Sequence, residues 1–258
     1  MRMQEDAVLG CKLSKSLSFS QDEELYIATS DTKIKMIEDY APFVDKILND
    51  ISYNPRNILD LGCGPGYIAR RLSEVLPSAM VIGVDKSHVM INHANNAVNK
   101  SLKNSYIFRA EFETDGGPIG MFEKEPDYLH YYEPRLKYMI ADSANLPFCN
   151  LKFDLILLKG TYKCLENKID SLKEMYRVLS HGGEIFIYEF RKDIPEDEFA
   201  ELTKYMKPQK VKSLRRKLNC SLDLEEYRNH LSEAGLDKFA LIEHDGLDLK
   251  ITIKKLNL

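Results

Sequence analysis

The chain has 258 residues, 44% apolar and 29% charged, with 40 acidic and 36 basic side chains and a formal net charge of −4. This is the make-up of a soluble globular protein with room for one large α/β domain or two small ones. The charge balance gives no overall pull towards nucleic acid or anionic lipid, and no apolar run approaches the roughly 18 residues of a membrane helix. Acids at Glu5 and Asp6 without a long apolar core make the start a poor secretion signal. The five cysteines (Cys11, Cys63, Cys149, Cys164, Cys220) are odd in number, scattered and without a CxxC pair. That usage predicts a reduced, cytoplasmic protein without disulfides, structural zinc or another bound metal.

Residues 1 to about 30 are polar and weakly patterned. Helical spacing begins in "SDTKIKMIEDYAPFVDKILNDI", where Ile34, Ile37, Val44, Ile47 and Leu48 recur on one side, Ser30 or Asp31 offers a cap, and Pro42 starts a second helix. Strands and helices then alternate. "RNILDLG" reads as a strand, followed by a helix with Ile68, Leu72, Val75 and Leu76 on one face; "AMVIGVD" is the next strand and "SHVMINHANNAVNKSL" the next helix. "KYMIAD" and "FDLILL" are further strands, and "NKIDSLKEMYRVLS" places Ile169, Leu172, Tyr176 and Leu179 on a stripe before the glycine turn and strand of "HGGEIFIYEF". Strands apolar on both faces, alternating with amphipathic helices, predict a parallel sheet covered on both sides. "DLEEYRNHLSEAGL" is a helix with Asp223 as cap, Glu226 three residues on and Gly235 as stop. Two strand-like runs around a short Asp-Gly turn in "FALIEHDGLDLKITIKKL" must be antiparallel. The fold class expected is α/β: a doubly wound, mostly parallel seven-stranded sheet with helices on both faces and a C-terminal antiparallel hairpin.

Two stretches interrupt the alternation. Residues from about 105 to 137 are acidic, tyrosine-rich and too long for a simple connection, and residues 204–217 are strongly basic. Without repeats or a low-complexity linker, the organisation expected is an N-terminal helical segment, 1–54, packed on a domain of 55–258 that carries the 105–137 insertion.

The stretch "NILDLGCGPGYIAR" puts glycines at 62, 64 and 66 after a strand. At the carboxyl edge of a doubly wound sheet such a turn faces a ligand, and glycine permits positive φ and close backbone approach. The dinucleotide fingerprint G-x-G-x-x-G seats a pyrophosphate on the helix N-terminus. The spacing here differs and suits a ligand without phosphate, with Asp60 placed to meet positive charge on its tail.

"LDLGCGPG" resembles the first motif of class I S-adenosylmethionine-dependent methyltransferases, and the remaining motifs follow in order. "VIGVDKS" puts Asp85 where the family holds both ribose hydroxyls, with Lys86 and Met90 just beyond. "MIADSANLPF" resembles the third signature, in which Asp142 accepts from the adenine amino group beside Ser143 and Ala144. "FDLILLKGTYKCLEN" resembles the fourth-strand motif, whose end (Leu158, Lys159, Gly160) lines the reacting centre. "MYRVLSHGGEIFIYEF" resembles the R-V-L-x-P-G-G segment, with His181 in place of proline. The terminal hairpin also separates this family from dehydrogenases. The resemblance spans 55–258 apart from the insertion. It implies a Rossmann-like methyltransferase fold, S-adenosyl-L-methionine as cofactor with S-adenosyl-L-homocysteine as product, and a cofactor site of Asp60, Gly62, Cys63, Gly64, Gly66, Asp85, Lys86, Met90, Asp142, Ser143, Ala144, Leu158 and Lys159.

Methyl transfer from a sulfonium is an in-line displacement that needs positioning and water exclusion more than a catalytic triad, and no such triad is visible. Tyr162 and Glu189 fall near the expected mouth, but packing and ion pairing account for such residues more simply, and His181 reads as a solvated turn residue. Lys159 could steer an anionic acceptor or snorkel to solvent. No N/D-P-P-Y/F follows the fourth strand, which removes support for adenine or glutamine methylation, and no Pro-Cys nucleophile is present. "LLKGTYKCLEN" is similar to the broad ubiquinone/menaquinone-biosynthesis group, which favours a small-molecule acceptor. The alternatives are an RNA or protein acceptor gripped by Lys204, Lys207, Lys210, Lys212, Arg215, Arg216 and Lys217, or a non-catalytic module that binds the cofactor. The tyrosines Tyr128, Tyr131 and Tyr132 suit either a lid or a surface contact. The oligomeric state is not encoded in any visible pattern.

Overall fold

Strands that are apolar on both faces need cover on both faces, and the sequence supplies it in alternation. The computed structural model describes residues 19–30, 35, 39–99 and 135–257. Its strands are β1 (Asn57–Leu61), β2 (Met80–Asp85), β3 (Leu136–Ile140), β4 (Phe153–Lys159), β5 (Leu179–Phe190), β6 (Ala240–Asp245) and β7 (Asp248–Lys254). They form one seven-stranded sheet in the order β3-β2-β1-β4-β5-β7-β6. The first five run parallel, and β7 lies antiparallel to both β5 and β6. This is the expected doubly wound sheet closed by a hairpin.

The helices are α1 (Phe19–Ser30), α2 (Ala41–Asp50), α3 (Tyr67–Val75), α4 (residues 88–99), α5 (Lys168–Val178), α6 (Glu196–Thr203), α7 (Pro208–Asn219) and α8 (Leu224–Glu233). On one face of the sheet Val44 and Ile47 of α2, Leu72 of α3 and Ile91 of α4 cover Ile58, Val81, Leu155 and Leu157. On the other, Leu172 and Met175 of α5 and Tyr227 and Leu231 of α8 cover Leu59, Ile156 and Leu158. The two-residue side-chain period explains the split: Leu155 and Leu157 point one way, Ile156 and Leu158 the other. Burying each such side chain contributes about 1.5–3 kcal/mol before the entropy of ordering is subtracted. Helices α6 and α7 are an addition between β5 and α8 with a small core of their own, built on Ile194, Phe199 and Leu218. No helix among the described residues is long and apolar enough to cross a membrane.

Several local signals act as read. Pro42 lies in the first turn of α2. Asp223 and Glu226 form a reciprocal capping box on α8. That helix ends at Gly235 (φ +74°), where Gly235 N–H bonds Ser232 O and Leu236 N–H bonds Leu231 O, the paired bonds of a Schellman ending. The β6–β7 hairpin turns on Gly246 and Leu247, with positive φ at Gly246, as a type II′ turn requires.

Four details differ from the sequence reading. Residues 19–30 are helical although their apolar residues show no helical period. Helix α5 stops at Val178, so Leu179 belongs to β5, and the buried face is Ser171, Leu172, Met175 and Val178. The glycines at 182 and 183 do not separate helix from strand. β5 starts before them, and the pairing jumps from Phe153↔Leu179 to Leu155↔Glu184, so they form a bulge within a continuous strand. The insertion extends only to Arg135, because Leu136 already belongs to β3. Its tyrosines Tyr128, Tyr131 and Tyr132, together with Ile34 and Ile37, lie outside the described residues.

Candidate cofactor and active site

The carboxyl ends of β3, β2, β1 and β4 lie side by side in the sheet, and every candidate site residue falls on one of them or on the segment that follows it. Between β1 and β4 the chain order reverses direction across the sheet, the switch point where open α/β sheets bind ligands.

The loop after β1 continues the sheet ladder before it turns. Gly62 N–H and Cys63 N–H both donate to Val84 O, at 2.7 and 3.0 Å. Gly62, Gly64 and Gly66 all have positive φ, at +72°, +52° and +83°, yet their surroundings differ. A Cβ on Gly62 would lie 2.1 Å from Thr161 Cγ2, and one on Gly66 would lie 2.5 Å from the Tyr138 ring. Among the described residues, a Cβ on Gly64 would meet nothing within 4 Å. Gly62 and Gly66 thus permit packing inside the protein, while Gly64 presents bare backbone to open space.

Asp85, at the end of β2, fixes that backbone. Its Oδ2 accepts from Gly64 N–H and its Oδ1 from Ser87 N–H, both at 2.9 Å. A carboxylate can accept about four hydrogen bonds, so capacity remains for two hydroxyls of a ligand. The open cradle at Gly64 and the half-used acid beside it fit a sugar-bearing ligand. Lys86 is exposed and ion-paired with Glu166. Met90 is buried on α4, with its N–H donated to Ser87 Oγ at 3.2 Å.

Asp60 is 2% exposed, and its Oδ2 accepts from Ala69 N–H at 3.1 Å. Gly66, at the N-cap of α3, has no side chain to satisfy the first-turn amides, so Asp60 does this from the neighbouring strand. Burial, reinforced by the charge of Asp85, raises its carboxyl to about 7 against the pull of the Ala69 hydrogen bond. Cys63 is a poor nucleophile, because burial and the two nearby carboxylates push its thiol well up.

After β3, Asp142 is exposed and forms a tight turn, with Oδ1 accepting from Ala144 N–H at 2.9 Å. The Ser143 hydroxyl faces inward to the buried Ser171 hydroxyl at 2.7 Å. At the end of β4, Leu158 is fully buried. The Lys159 residue as a whole is exposed, yet its Nζ sits 3.7 Å from the Phe43 ring centroid and 6.0 Å from that of Tyr40. Burial against these rings lowers its ammonium to about 8.

Tyr162 and Glu189 take the structural roles expected of them. Tyr162 is buried against Tyr227, with its hydroxyl 3.3 Å from His230 Nδ1. Glu189, whose side chain is fully buried, pairs with Lys163 at 2.9 Å. His181 is exposed, with Nδ1 3.1 Å from Leu256 O. The basic segment is partly neutralised by α6: Arg215 pairs with Glu196 and lies 3.5 Å over the Phe199 ring, and Lys204 pairs with Glu201. A separate, acid-rich groove of about 510 Å³ lies between the start of α5 and α8, where Glu166, Asp170, Glu226 and Glu233 face Lys168 and His230.

The sequence reading missed three residues. Tyr138 of β3 lies under the loop and donates its hydroxyl to Gly66 O at 2.6 Å. Thr161 fills the space left by Gly62 and bonds its carbonyl at 3.2 Å. Glu23 of α1 is 5% exposed and hydrogen-bonds the Ser87 side chain near Asp85; burial raises its carboxyl. Only the glycines, by demanding a neighbour, hinted at the first two, and nothing in the pattern of α1 marked the third.

Comparison with known proteins agrees with this geometry. The family described as "Methyltransferase domain" matches residues 33–241. The ubiquinone/menaquinone biosynthesis C-methyltransferase UbiE of Vibrio cholerae is 28% identical over 141 residues, 55% of this chain and 44% of that protein. The demethylmenaquinone methyltransferase of Thermus thermophilus is 27% identical over 136 residues, 53% of this chain and 48% of that protein. The chain thus spans less than half the length of these curated relatives. A protein of Methanococcus maripaludis assigned to the S-adenosyl-L-methionine-dependent methyltransferases superposes with a TM-score of 0.65 at 19% identity, covering 96% of this chain and 99% of that one. The plantazolicin methyltransferase BpumL, solved with S-adenosylhomocysteine, gives 0.57 at 15% identity over 92% and 90% of the two chains. The chain therefore belongs to this methyltransferase-domain family, and its fold is the one those solved structures share.

Proposed function

We propose that the enzyme methylates a small organic acceptor at the end of β4. The observation that carries this reading is the aromatic wall that α2 lays over that strand end. The Phe43 ring packs edge-on against Tyr188 of β5 at 4.8 Å, and Tyr40 packs against Tyr67 of α3 at 5.0 Å. Flat apolar rings suit an organic acceptor better than a phosphate backbone. The distant likeness to ubiquinone/menaquinone biosynthesis C-methyltransferases supports the same reading. The pairing of Arg215 and Lys204 with acids of α6 argues against a bare phosphate-gripping surface.

In this reading Asp85 holds the ribose hydroxyls and the Gly62–Gly64 backbone passes the methionine tail. Asp60 lies beneath that tail and, with Gly66, holds α3 in place. Asp142 and Ala144 border the base, Met90 lines its apolar side, and Lys86 with Glu166 closes the rim. The backbone of Leu158 and Lys159 faces the reacting centre. When bound, S-adenosyl-L-methionine supplies a methyl group on a sulfonium that is already a good leaving group. The protein's own work is to align the acceptor and keep water out, worth up to roughly 7–11 kcal/mol in favourable systems. The described N-terminal helices α1 and α2 precede a methyltransferase domain of 55–258 in this reading, within a segment of 1–54.

The test is methyl-labelled S-adenosyl-L-methionine incubated with the enzyme and a fractionated lysate. Label in the low-molecular-weight organic fraction is expected; label confined to RNA or protein would refute the small-molecule reading.

A further inference from the structure

The chemistry at the acceptor mouth narrows the substrate class. Resting on the methyltransferase reading above, we propose that the acceptor is an aromatic or conjugated ring carrying an anionic oxygen, and that Lys159 recognises its charge from the mouth formed with Tyr40 and Phe43.

Lys159 ends the central strand β4, beside the ends of β1 and β5. Two residues on, Thr161 touches the glycine loop through Gly62 O at 3.2 Å. The ammonium is therefore held within a few residues of the loop that faces the cofactor. Its contacts are with ring faces: 3.7 Å to the Phe43 centroid and 6.0 Å to that of Tyr40. Among the described residues no carboxylate forms an ion pair with it. The charged groups that face it come from every element around the mouth. Asp39, before α2, and Asp248, at the start of β7, favour its charge; Lys217, near the end of α7, and Lys46 of α2 oppose it.

A lysine ammonium carries three donors, and a ring face satisfies none of them as an anionic oxygen would. Cation–π contact offsets part of the lost hydration, but a partly buried cation whose nearby carboxylates, among the described residues, make no ion pair with it remains costly. An entering carboxylate or phenolate would supply the missing acceptor, and its ring would lie along Phe43 and Tyr40. Recognition by one ammonium also makes binding pH-dependent. Burial holds Lys159 at about 8, so the charge that attracts the acceptor is lost as pH rises through that value.

The test uses the full chain saturated with S-adenosylhomocysteine, titrated by calorimetry with naphthalene-2-carboxylate and with its neutral analogue naphthalene-2-carboxamide. At about pH 7 the carboxylate should bind at least about tenfold more tightly than the amide, and the preference should shrink at about pH 9.5, where a lysine with this pKa is neutral. Lys159→Met should abolish the preference. Lys159→Arg, whose charge persists, should keep it at both pH values. Should the methionine variant not fold, the wild type and the arginine variant decide the matter through their pH dependence. Equal binding of the two probes, binding of neither, a preference that survives Lys159→Met, or a wild-type preference indifferent to pH would each overturn the proposal. Loss of this preference with S-adenosylhomocysteine still bound would sink the acceptor class alone, whereas failure of S-adenosylhomocysteine to bind the wild type would sink the cofactor site itself.

Discussion

The glycine loop offers a test in which two substitutions of the same kind should have opposite consequences. At Gly66 an alanine must adopt φ near +83°, which costs an L-residue about 1–2 kcal/mol. Its Cβ would also lie 2.5 Å from the Tyr138 ring. That ring cannot swing aside freely, because its hydroxyl donates to Gly66 O at 2.6 Å and the residue is buried. Forcing extra volume into such a site costs about 1–3 kcal/mol. Gly66→Ala should therefore lose about 2–5 kcal/mol of folding stability. At Gly64, with φ +52° and no described atom within 4 Å of an added Cβ, the backbone cost of about 1–2 kcal/mol stands alone. The new methyl group would instead occupy the space the ligand needs, so cofactor affinity should fall at least about tenfold. Urea unfolding gives the first quantity and calorimetric titration with S-adenosylhomocysteine the second. A Gly66→Ala protein as stable as wild type would refute the argument, as would a Gly64→Ala protein that binds normally.

Three further outcomes follow from the same geometry. Asp85→Ala removes two loop-fixing hydrogen bonds and, in the proposed reading, the acceptor for the sugar hydroxyls, so cofactor affinity should drop at least about tenfold; unchanged binding by titration would count against the site. Asp60 has its folded pKa raised from 3.8 to about 7, so its contribution to stability is full below about pH 4 and is lost as pH rises to about 7. The shift corresponds to at most about 4 kcal/mol. Asp60→Asn should flatten that part of the stability–pH curve in denaturant titrations, and parallel curves for the two proteins would contradict the assignment. Lys163→Met leaves the buried Glu189 carboxylate without its partner. It should cost about 3–5 kcal/mol, with much of the loss recovered in Lys163→Met/Glu189→Met; an additive double mutant would show that the pair is uncoupled.

How much of this was legible depends on how far apart the cooperating residues lie. Strand β4 announced itself as a run apolar on both faces, and α8 as an Asp-x-x-Glu start with a glycine stop, because each signal is complete within about a dozen residues. The β5 glycines misled because a turn and a bulge make the same demand, positive φ at Gly182, and only the partner strand distinguishes them. Helix α1 was invisible because its apolar residues lack a helical period. The purpose of Gly66 was half legible. The sequence shows that a side chain is excluded there, while the excluding Tyr138 lies 72 residues away.

The same distinction explains why the donor is named and the acceptor must be argued. Holding a sulfonium nucleoside requires particular backbone shapes in short, contiguous loops, and those shapes leave glycines and strand-end acids in the sequence. The proposed acceptor mouth makes no such demand on any one segment. Its ring faces come from Tyr40 and Phe43 at the start of α2, its cation from the end of β4, and the charges that tune that cation from Asp39, Lys46, Lys217 and Asp248. Each of these residues is unremarkable where it stands in the chain. Together they form a charged, aromatic surface only because the strand order brings β4, β5 and β7 together and the start of α2 meets the end of β4. Changing the acceptor in this fold therefore requires only a few side chains on separate elements, while the cofactor loop stays constrained by its own backbone geometry.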